Sequence, residues 1–330
     1  MKEHLDLSRW RETPRGVGAR RRAIVFAGLR QLFDTRFFRI LLGVAWLGGA
    51  LVAAAGFLFS QSVASGGWVE QLATHFSPRL EAVATAMSGL VLLYPDICVG
   101  GLFTVVFWLH SYLGLGLSLL ALTVIVPSLV TRDRASNALI IYLSRPLTSA
   151  DYLLGKLGII TGVLALVWTG PLLFGWLLSV VFAPNSDFIV YSFTPLLHAL
   201  LFNGIGLVVL ASVALGISAL NRTSRNTVIL WVGLWLVLGV FARAEQRKTE
   251  WVRRVSFSHD LSEVRLAVFQ VDQALADAGS KLPLMNRSFA DNLTRDGQKT
   301  QATDAAGALW ALGLFTAAGS FVFFRKLRPE

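Results

Sequence analysis

The chain has 330 residues, of which 54% are hydrophobic and 15% are charged, against about 45–50% and about 25% in ordinary soluble domains, so its composition argues against a water-soluble fold. Lysine and arginine number 30 and aspartate and glutamate 20, but the basic residues cluster beside apolar runs, which is typical of membrane proteins and not of nucleic-acid-binding ones. Cys98 is the single cysteine, which excludes an intrachain disulfide and a cysteine-rich metal site.

The polar and basic N-terminus, residues 1–39, contains a segment with helical periodicity just before the first apolar run. Within residues 18–38, an apolar stripe lies opposite several arginines. The stripe consists of Val25, Phe26, Leu29, Phe33 and Phe37, and the arginines are Arg20, Arg21, Arg22, Arg30 and Arg36. This pattern predicts an amphipathic helix in the membrane interface, with its apolar side towards the lipid tails and its arginines towards anionic lipid. The alternative is a solvated helix that packs on a partner subunit.

Apolar runs of about 20 residues can cross the hydrocarbon core as helices, which satisfy their backbone polar groups internally. Such runs cover residues 40–59, 99–126, 157–182, 195–220, 227–241 with its flanks, and 305–324. The fifth run is short and its ends are poorly defined. The sequence therefore predicts an all-α polytopic membrane protein with about six transmembrane helices, of which residues 40–241 contain the first five.

The flanks of these runs carry an asymmetric distribution of lysine and arginine. With the N-terminus inside, the inner flanks hold 19 of the 30 lysine and arginine residues, whereas the short outer segments 60–98 and 183–194 hold only Arg79. The other ten lie in segment 242–304, which is about the length at which the rule loses force. Because positive flanks are retained on the cytoplasmic side, both termini are predicted to be cytoplasmic. Residues 305–330 are then the last span and a basic cytoplasmic tail.

The long segment between the last two spans, residues 242–304, is predicted to be extracytoplasmic. It contains a helix signal that begins with Asp260 as the N-cap and Glu263 three residues later, and that ends at Gly279. The apolar stripe of this helix comprises Leu261, Val264, Val268, Val271 and Leu275. A small subdomain that packs on the span ends is the default expectation.

The inner loop between the second and third spans, residues 131–156, has the most informative pattern. Its first half can form a short amphipathic helix, whose apolar stripe is Leu139, Tyr142 and Leu143. Arg145-Pro146 ends this helix because a residue before proline avoids the helical region. Asp151 then lies in the first turn of the next helix, where a carboxylate suits the helix dipole.

This loop resembles the corresponding loop of the membrane subunits of type-2 ABC transporters. The residues that carry the resemblance are Asp133, Ser144-Arg145-Pro146 and Tyr152-Leu153-Leu154-Gly155-Lys156. Asp133 stands where glutamate is commoner in the family, and residues 135–138 depart from the usual Gly-Thr-Leu pattern. The plan of six spans with an interfacial N-terminal helix is also similar to that family and covers nearly the whole chain.

The resemblance implies the permease subunit of an ATP-driven exporter in the cell (inner or plasma) membrane. Its expected partners are an ABC ATPase subunit, a second permease subunit in a homo- or heterodimer, and membrane lipid, with no nucleic acid. In the family this loop is the coupling helix that docks in a groove on the ATPase. Leu139, Tyr142 and Leu143 are then the expected apolar contacts, Pro146 is the fixed corner, and Asp133 and Arg145 orient the loop.

The sequence has no phosphate-binding loop of the form GxxxxGK[ST]. Gly155-Lys156 is followed by Leu157, and Ala150 occupies the position of the first glycine. The chain is therefore expected to be a transport subunit rather than an enzyme. We expect no catalytic, cofactor or metal residues in it, with ATP and Mg bound by the partner ATPase.

Other classes of membrane protein remain as alternatives. An ion-coupled secondary transporter normally carries acidic or histidine residues inside its spans, and the span interiors here offer only His110 and His198. A non-transport membrane scaffold is a further alternative. A membrane enzyme has less support, since neither His-Glu-x-x-His nor Gly-x-Ser-x-Gly occurs.

Overall fold

The computed structural model describes residues 17–63, 93–136, 149–183, 186–244, 254–281 and 304–327, together with isolated positions between 71 and 91. Most of the described residues are helical, and there is no strand among them. The helices are α1 (Val17–Phe33), α2 (Arg36–Val63), α3 (Pro95–Val126), α4 (Arg132–Ala135), α5 (Ser149–Leu164), α6 (Gly170–Val181), α7 (Asp187–Leu220), α8 (Ser224–Val232), α9 (Leu238–Ala244), α10 (Phe257–Phe269), α11 (Val271–Lys281) and α12 (Ala305–Leu327).

In this described part, six helical stretches are long and apolar enough to cross a membrane. They are Arg36–Gln61, Pro95–Ala135, Asp151–Val181, Asp187–Leu220, Ser224–Phe241 and Ala305–Lys326. Each contains one of the predicted apolar runs to within one residue, so the prediction of an all-α polytopic protein is confirmed. The fifth stretch, with 18 residues, is the shortest. We refer to these stretches as the first to the sixth span.

Three of the spans contain a π-helical turn, at Pro127–Thr131, Ala165–Thr169 and Gly233–Val237. A π turn leaves backbone groups without their usual helical partners. Around the π turn of the second span, such backbone groups are bound by the hydroxyl of Ser218 from the fourth span. This hydroxyl accepts a hydrogen bond from the Val130 amide at 2.9 Å and donates one to the Val126 carbonyl at 2.7 Å. These bonds attach the end of the second span to the fourth.

The first four spans run in alternating directions along the chain, as contacts between them show. Gly48 faces Leu113 and Gly56 faces Phe103, so the first and second spans are antiparallel. The basic residues Arg36, Arg132, Arg134, Arg222 and Arg225 consequently lie at one end of the bundle, which we call the basic end. The N-terminus of α2, the whole of α4 and the N-terminus of α5 belong to this end.

The middle of the bundle is packed around Trp168, whose side chain is 1% exposed. Its indole lies between Gly114 of α3 and Gly206 of α7, and its ring meets that of Phe202 edge-on with 5.6 Å between centroids. A β-carbon at either glycine would collide with the indole. The two glycines thus create the space that this large side chain fills.

The N-terminal helix α1 is formed as predicted, but it ends at Phe33, before a turn at residues 34–35. Its side chains Ile24, Val25 and Leu29 pack on Gly155, Gly158 and Gly162 of the third span, where the small residues leave a shallow groove. The residues of the predicted lipid-facing stripe therefore lie on different surfaces, some exposed and some packed against the third span. Phe26 is 69% exposed and Phe33 37%, whereas Leu29 faces the third span and Phe37 belongs to the first span. The placement of α1 in the membrane interface stays a prediction.

The helix that was predicted from Asp260 to Gly279 differs in two respects. It begins at Phe257 with Ser256 as its N-cap, whose side chain accepts a hydrogen bond from the backbone amide of His259. It is also divided into α10 and α11 by Gln270, whose φ of 47° places it in the left-handed region. The prediction of Asp260 as the N-cap was therefore wrong, because a serine four residues earlier has the extended backbone that a cap requires.

Helix α10 packs among the spans through its aromatic residues. Phe257 lies 6.2 Å from Trp231 of the fifth span and 6.0 Å from Phe315 of the sixth, measured between ring centroids. Phe269, at the other end of α10, lies 6.0 Å from Phe202 of the fourth span. The helix is thus an integral part of the bundle's core rather than a separate subdomain core.

Candidate functional site at the basic end

The two ends of the predicted coupling loop are joined by an ion pair. The Asp133 carboxylate, from α4 before the loop, lies 2.7 Å from the Lys156 ammonium group, from α5 after it. The Tyr152 hydroxyl donates to the same carboxylate oxygen at 2.8 Å. The side chains of Lys156 and Asp133 are only 10% and 15% exposed. This set of three residues, which we call the loop anchor, is therefore largely shielded from water.

The spacing of residues along the chain helps to bring the three residues of the loop anchor together. Tyr152 and Lys156 are four residues apart in α5 and so lie on one face of the helix, with the Lys156 nitrogen 5.3 Å from the centre of the Tyr152 ring. Asp133 lies two residues after the π turn of the second span. That turn is held to the fourth and fifth spans by Thr131, whose hydroxyl lies 2.8 Å from the Ser218 carbonyl and 3.0 Å from the Thr227 hydroxyl.

Two further contacts tie this region to neighbouring helices. The Arg21 guanidinium of α1 donates to the Asp151 carboxylate at 2.7 Å, and the Asp151 side chain is 6% exposed. Arg134 donates to the carbonyl of Ala219, at the end of the fourth span. These contacts connect the helices that flank the predicted loop to α1 and to the fourth span.

Of the predicted loop residues, the structure describes only Asp133, which it places in the loop anchor. Leu139, Tyr142, Leu143, Arg145 and Pro146 lie in residues 137–148, outside the described residues. The pairing of Asp133 with Lys156 and Tyr152 was not predicted, although all three belong to the motif. The acidic residue before the loop and the Tyr-x-x-x-Lys spacing after it were the available signals.

A second charged cluster surrounds Arg254, beyond the fifth span. Its guanidinium donates to Asp260 at 2.9 Å, to Glu263 at 2.7 Å and to Asp304 at 3.0 Å. Asp260 is fully buried. Burial raises the pKa of its carboxyl to about 6, and the adjacent Arg254 opposes that rise. The cluster fixes the start of α10 to the start of the sixth span.

Nearby, α10 places the cation of Arg265 inside the bundle, where it is 2% exposed. Its guanidinium carbon lies 3.4 Å from the centre of the Tyr112 ring in the second span, and it donates to Ser262 at 3.0 Å. An aromatic face stabilises a desolvated cation. Sequence reasoning missed this contact because Tyr112 and Arg265 are far apart in the chain.

The histidines considered for an ion relay lie in different spans. The His110 ring nitrogen Nε2 lies 3.3 Å from the carbonyl of Trp168, in the π turn of the third span, while His198 of the fourth span is partly exposed. The contact of His110 with this carbonyl joins the second span to the third at the centre of the bundle.

Comparison with known proteins adds no assignment. No model of a protein family matches this chain, and no curated protein matches it.

Proposed function

We propose that this chain is the permease subunit of an ATP-driven exporter of the type-2 ABC kind, with ATP hydrolysed by a separate chain. The proposal starts from the resemblance of residues 131–156 to the coupling loop of that family. The observation that carries it further is the loop anchor, in which Asp133, Tyr152 and Lys156 bind one another. Three residues that are separated in the motif thus form one cluster of contacting side chains.

A coupling loop must pass a displacement from the ATPase to the spans, and this requires firm attachment at both of its ends. The loop anchor supplies that attachment between the second and third spans. The Arg21 contact with Asp151 extends it to α1, and the Arg134 contact with Ala219 extends it to the fourth span. ATP bound preferentially in one global state would then shift these helices together.

The translocation path is proposed to lie where this chain meets a second permease subunit. Large apolar side chains are exposed along the spans, including Leu47, Leu177 and Leu201, and the described span interiors contain few charges. These features favour an apolar, amphipathic or lipid-linked cargo over a small ion.

The experiment that tests the proposal is purification of the tagged chain from its native membranes in a mild detergent. We expect a second protein with a phosphate-binding loop to co-purify, and the complex to hydrolyse ATP while the isolated chain does not. Recovery of the chain without any ATP-hydrolysing partner, together with transport that is driven by an ion gradient, would instead support a secondary transporter.

A further inference from the structure

A cavity of about 440 Å³ opens between α1, the end of the second span and the start of the third. One wall is apolar and consists of small or aliphatic residues, namely Ala23, Ile24, Ala27, Gly28 and Ile159. The other wall is polar and consists of Gln31, Ser128, Arg132, Asp133, Tyr152 and Lys156. Ligand cavities in proteins commonly measure about 300–1,000 Å³, so this one can hold a small amphiphilic group.

The polar wall has one cation in excess. Lys156 is neutralised by Asp133 at 2.7 Å. Arg132 is exposed, and its guanidinium forms no hydrogen bond or ion pair with any residue that the structure describes. An arginine offers a planar set of donors that suits a phosphate group. The cavity therefore favours an anion beside Arg132.

The charged residues of the cavity lie nearer to the basic end than part of its uncharged lining. All four of Ser128, Arg132, Lys156 and Ile159 belong to the second and third spans, but Arg132 and Lys156 lie about one helical turn nearer to the basic end than Ser128 and Ile159. The charged side of the cavity is thus where a headgroup would lie, and the apolar side leads towards the acyl chains. A free phosphate would use only the polar wall.

We propose that this cavity binds an anionic phospholipid, with its phosphate on Arg132 and the upper part of an acyl chain against Ala27 and Ile159. The lipid would fill the space between α1 and the loop anchor, and so connect them. This inference does not depend on transport or on an ATPase, and it goes beyond the proposed function.

The test measures thermal unfolding of the purified chain in a neutral detergent, with and without added lipid. A ligand that binds only the folded state raises the melting temperature. We expect phosphatidylglycerol to raise it by several degrees, and phosphatidylcholine and inorganic phosphate to have little effect. An equal rise with inorganic phosphate would overturn the proposal in favour of a simple anion site, and an equal rise with phosphatidylcholine would show non-specific lipid binding.

Matched variants locate the site. Arg132→Ala should lose most of the rise produced by phosphatidylglycerol, while Arg39→Ala, which removes an exposed arginine outside the cavity, should retain it. Ala27→Trp fills the apolar side and leaves every charge in place, so it should also lose the rise. If Ala27→Trp does not fold, Ala23→Leu tests the same wall. An equal response of Arg132→Ala and Arg39→Ala would contradict a defined site.

Discussion

The Asp133 carboxylate and the Lys156 ammonium group are 2.7 Å apart and join the second span to the third across the predicted coupling loop. Because both groups are mostly shielded, removing one partner leaves a charge without its counterion. We predict that Lys156→Met lowers the free energy of unfolding by about 2–3 kcal/mol. Thermal or denaturant unfolding in detergent measures the effect.

The double variant Asp133→Asn with Lys156→Met removes both charges and should recover part of that loss, as a double-mutant cycle would report. Tyr152→Phe, which deletes only the hydroxyl donor to Asp133, should cost about 1 kcal/mol. Additive losses in the double variant would show that the two side chains do not interact in the folded protein.

The packing of Trp168 between two glycines predicts a position-dependent effect of adding a single methyl group. Gly114→Ala would drive a β-carbon into the indole, and Gly206→Ala would place one 2.7 Å from Trp168 Cη2. Each should cost about 1–3 kcal/mol, as overpacking in a rigid core does. Melting temperatures in detergent check this expectation.

The controls are the glycines two residues away in the same helices. Gly116 and Gly204 have open space where a β-carbon would lie, so Gly116→Ala and Gly204→Ala should be neutral or stabilising by about 0.5–1 kcal/mol. Equal destabilisation by Gly114→Ala and Gly116→Ala would mean that Trp168 does not occupy this position.

The orientation in the membrane is a separate prediction, based on the asymmetry of arginine and lysine. In a Cys98→Ser background, Gln273→Cys should react with a membrane-impermeant maleimide from outside, and Arg325→Cys only after the inside is made accessible. Both positions are exposed in the structure. Labelling of Gln273→Cys only from the cytoplasmic side would contradict the proposed topology.

The buried carboxyl of Asp260 predicts a pH dependence of stability. Its pKa is raised from the ordinary 3.8 to about 6, so the folded state binds a proton more tightly than the unfolded state. The resulting stabilisation is full below pH 4 and is lost as the pH rises through about 6, with a slope of at most about 1.4 kcal/mol per pH unit. Unfolding measured from pH 4 to pH 8 reports this contribution.

The contribution of Asp260 is isolated by comparing variants. Asp260→Asn cannot titrate and should lose this part of the pH dependence, whereas Asp304→Asn, which removes the exposed partner of Arg254, should keep it. An unchanged pH profile in Asp260→Asn would show that this carboxyl is not the source.

The spans could be predicted from sequence because length and hydropathy determine membrane crossing. The loop anchor could not, since the approach of Asp133 to Lys156 depends on how two spans pack at their ends. The same reason applies to the division of the N-terminal stripe, where the groove beside Gly158 takes Val25 and leaves Phe26 exposed. Periodicity identifies an apolar face but does not say whether lipid or another helix covers it.

The central claim is that a separate ATPase docks on the loop between the second and third spans. Leu143→Asp places a charge in the expected apolar contact, where an unpaired buried charge costs about 3–5 kcal/mol. The measurement is recovery of the ATPase with the tagged permease from membranes, for Leu143→Asp and for the control Ser149→Asp. We predict that Leu143→Asp reaches the membrane at normal abundance but loses both the ATPase and export, while Ser149→Asp keeps them. Full association and export in Leu143→Asp would contradict the account and reduce the loop to a connector.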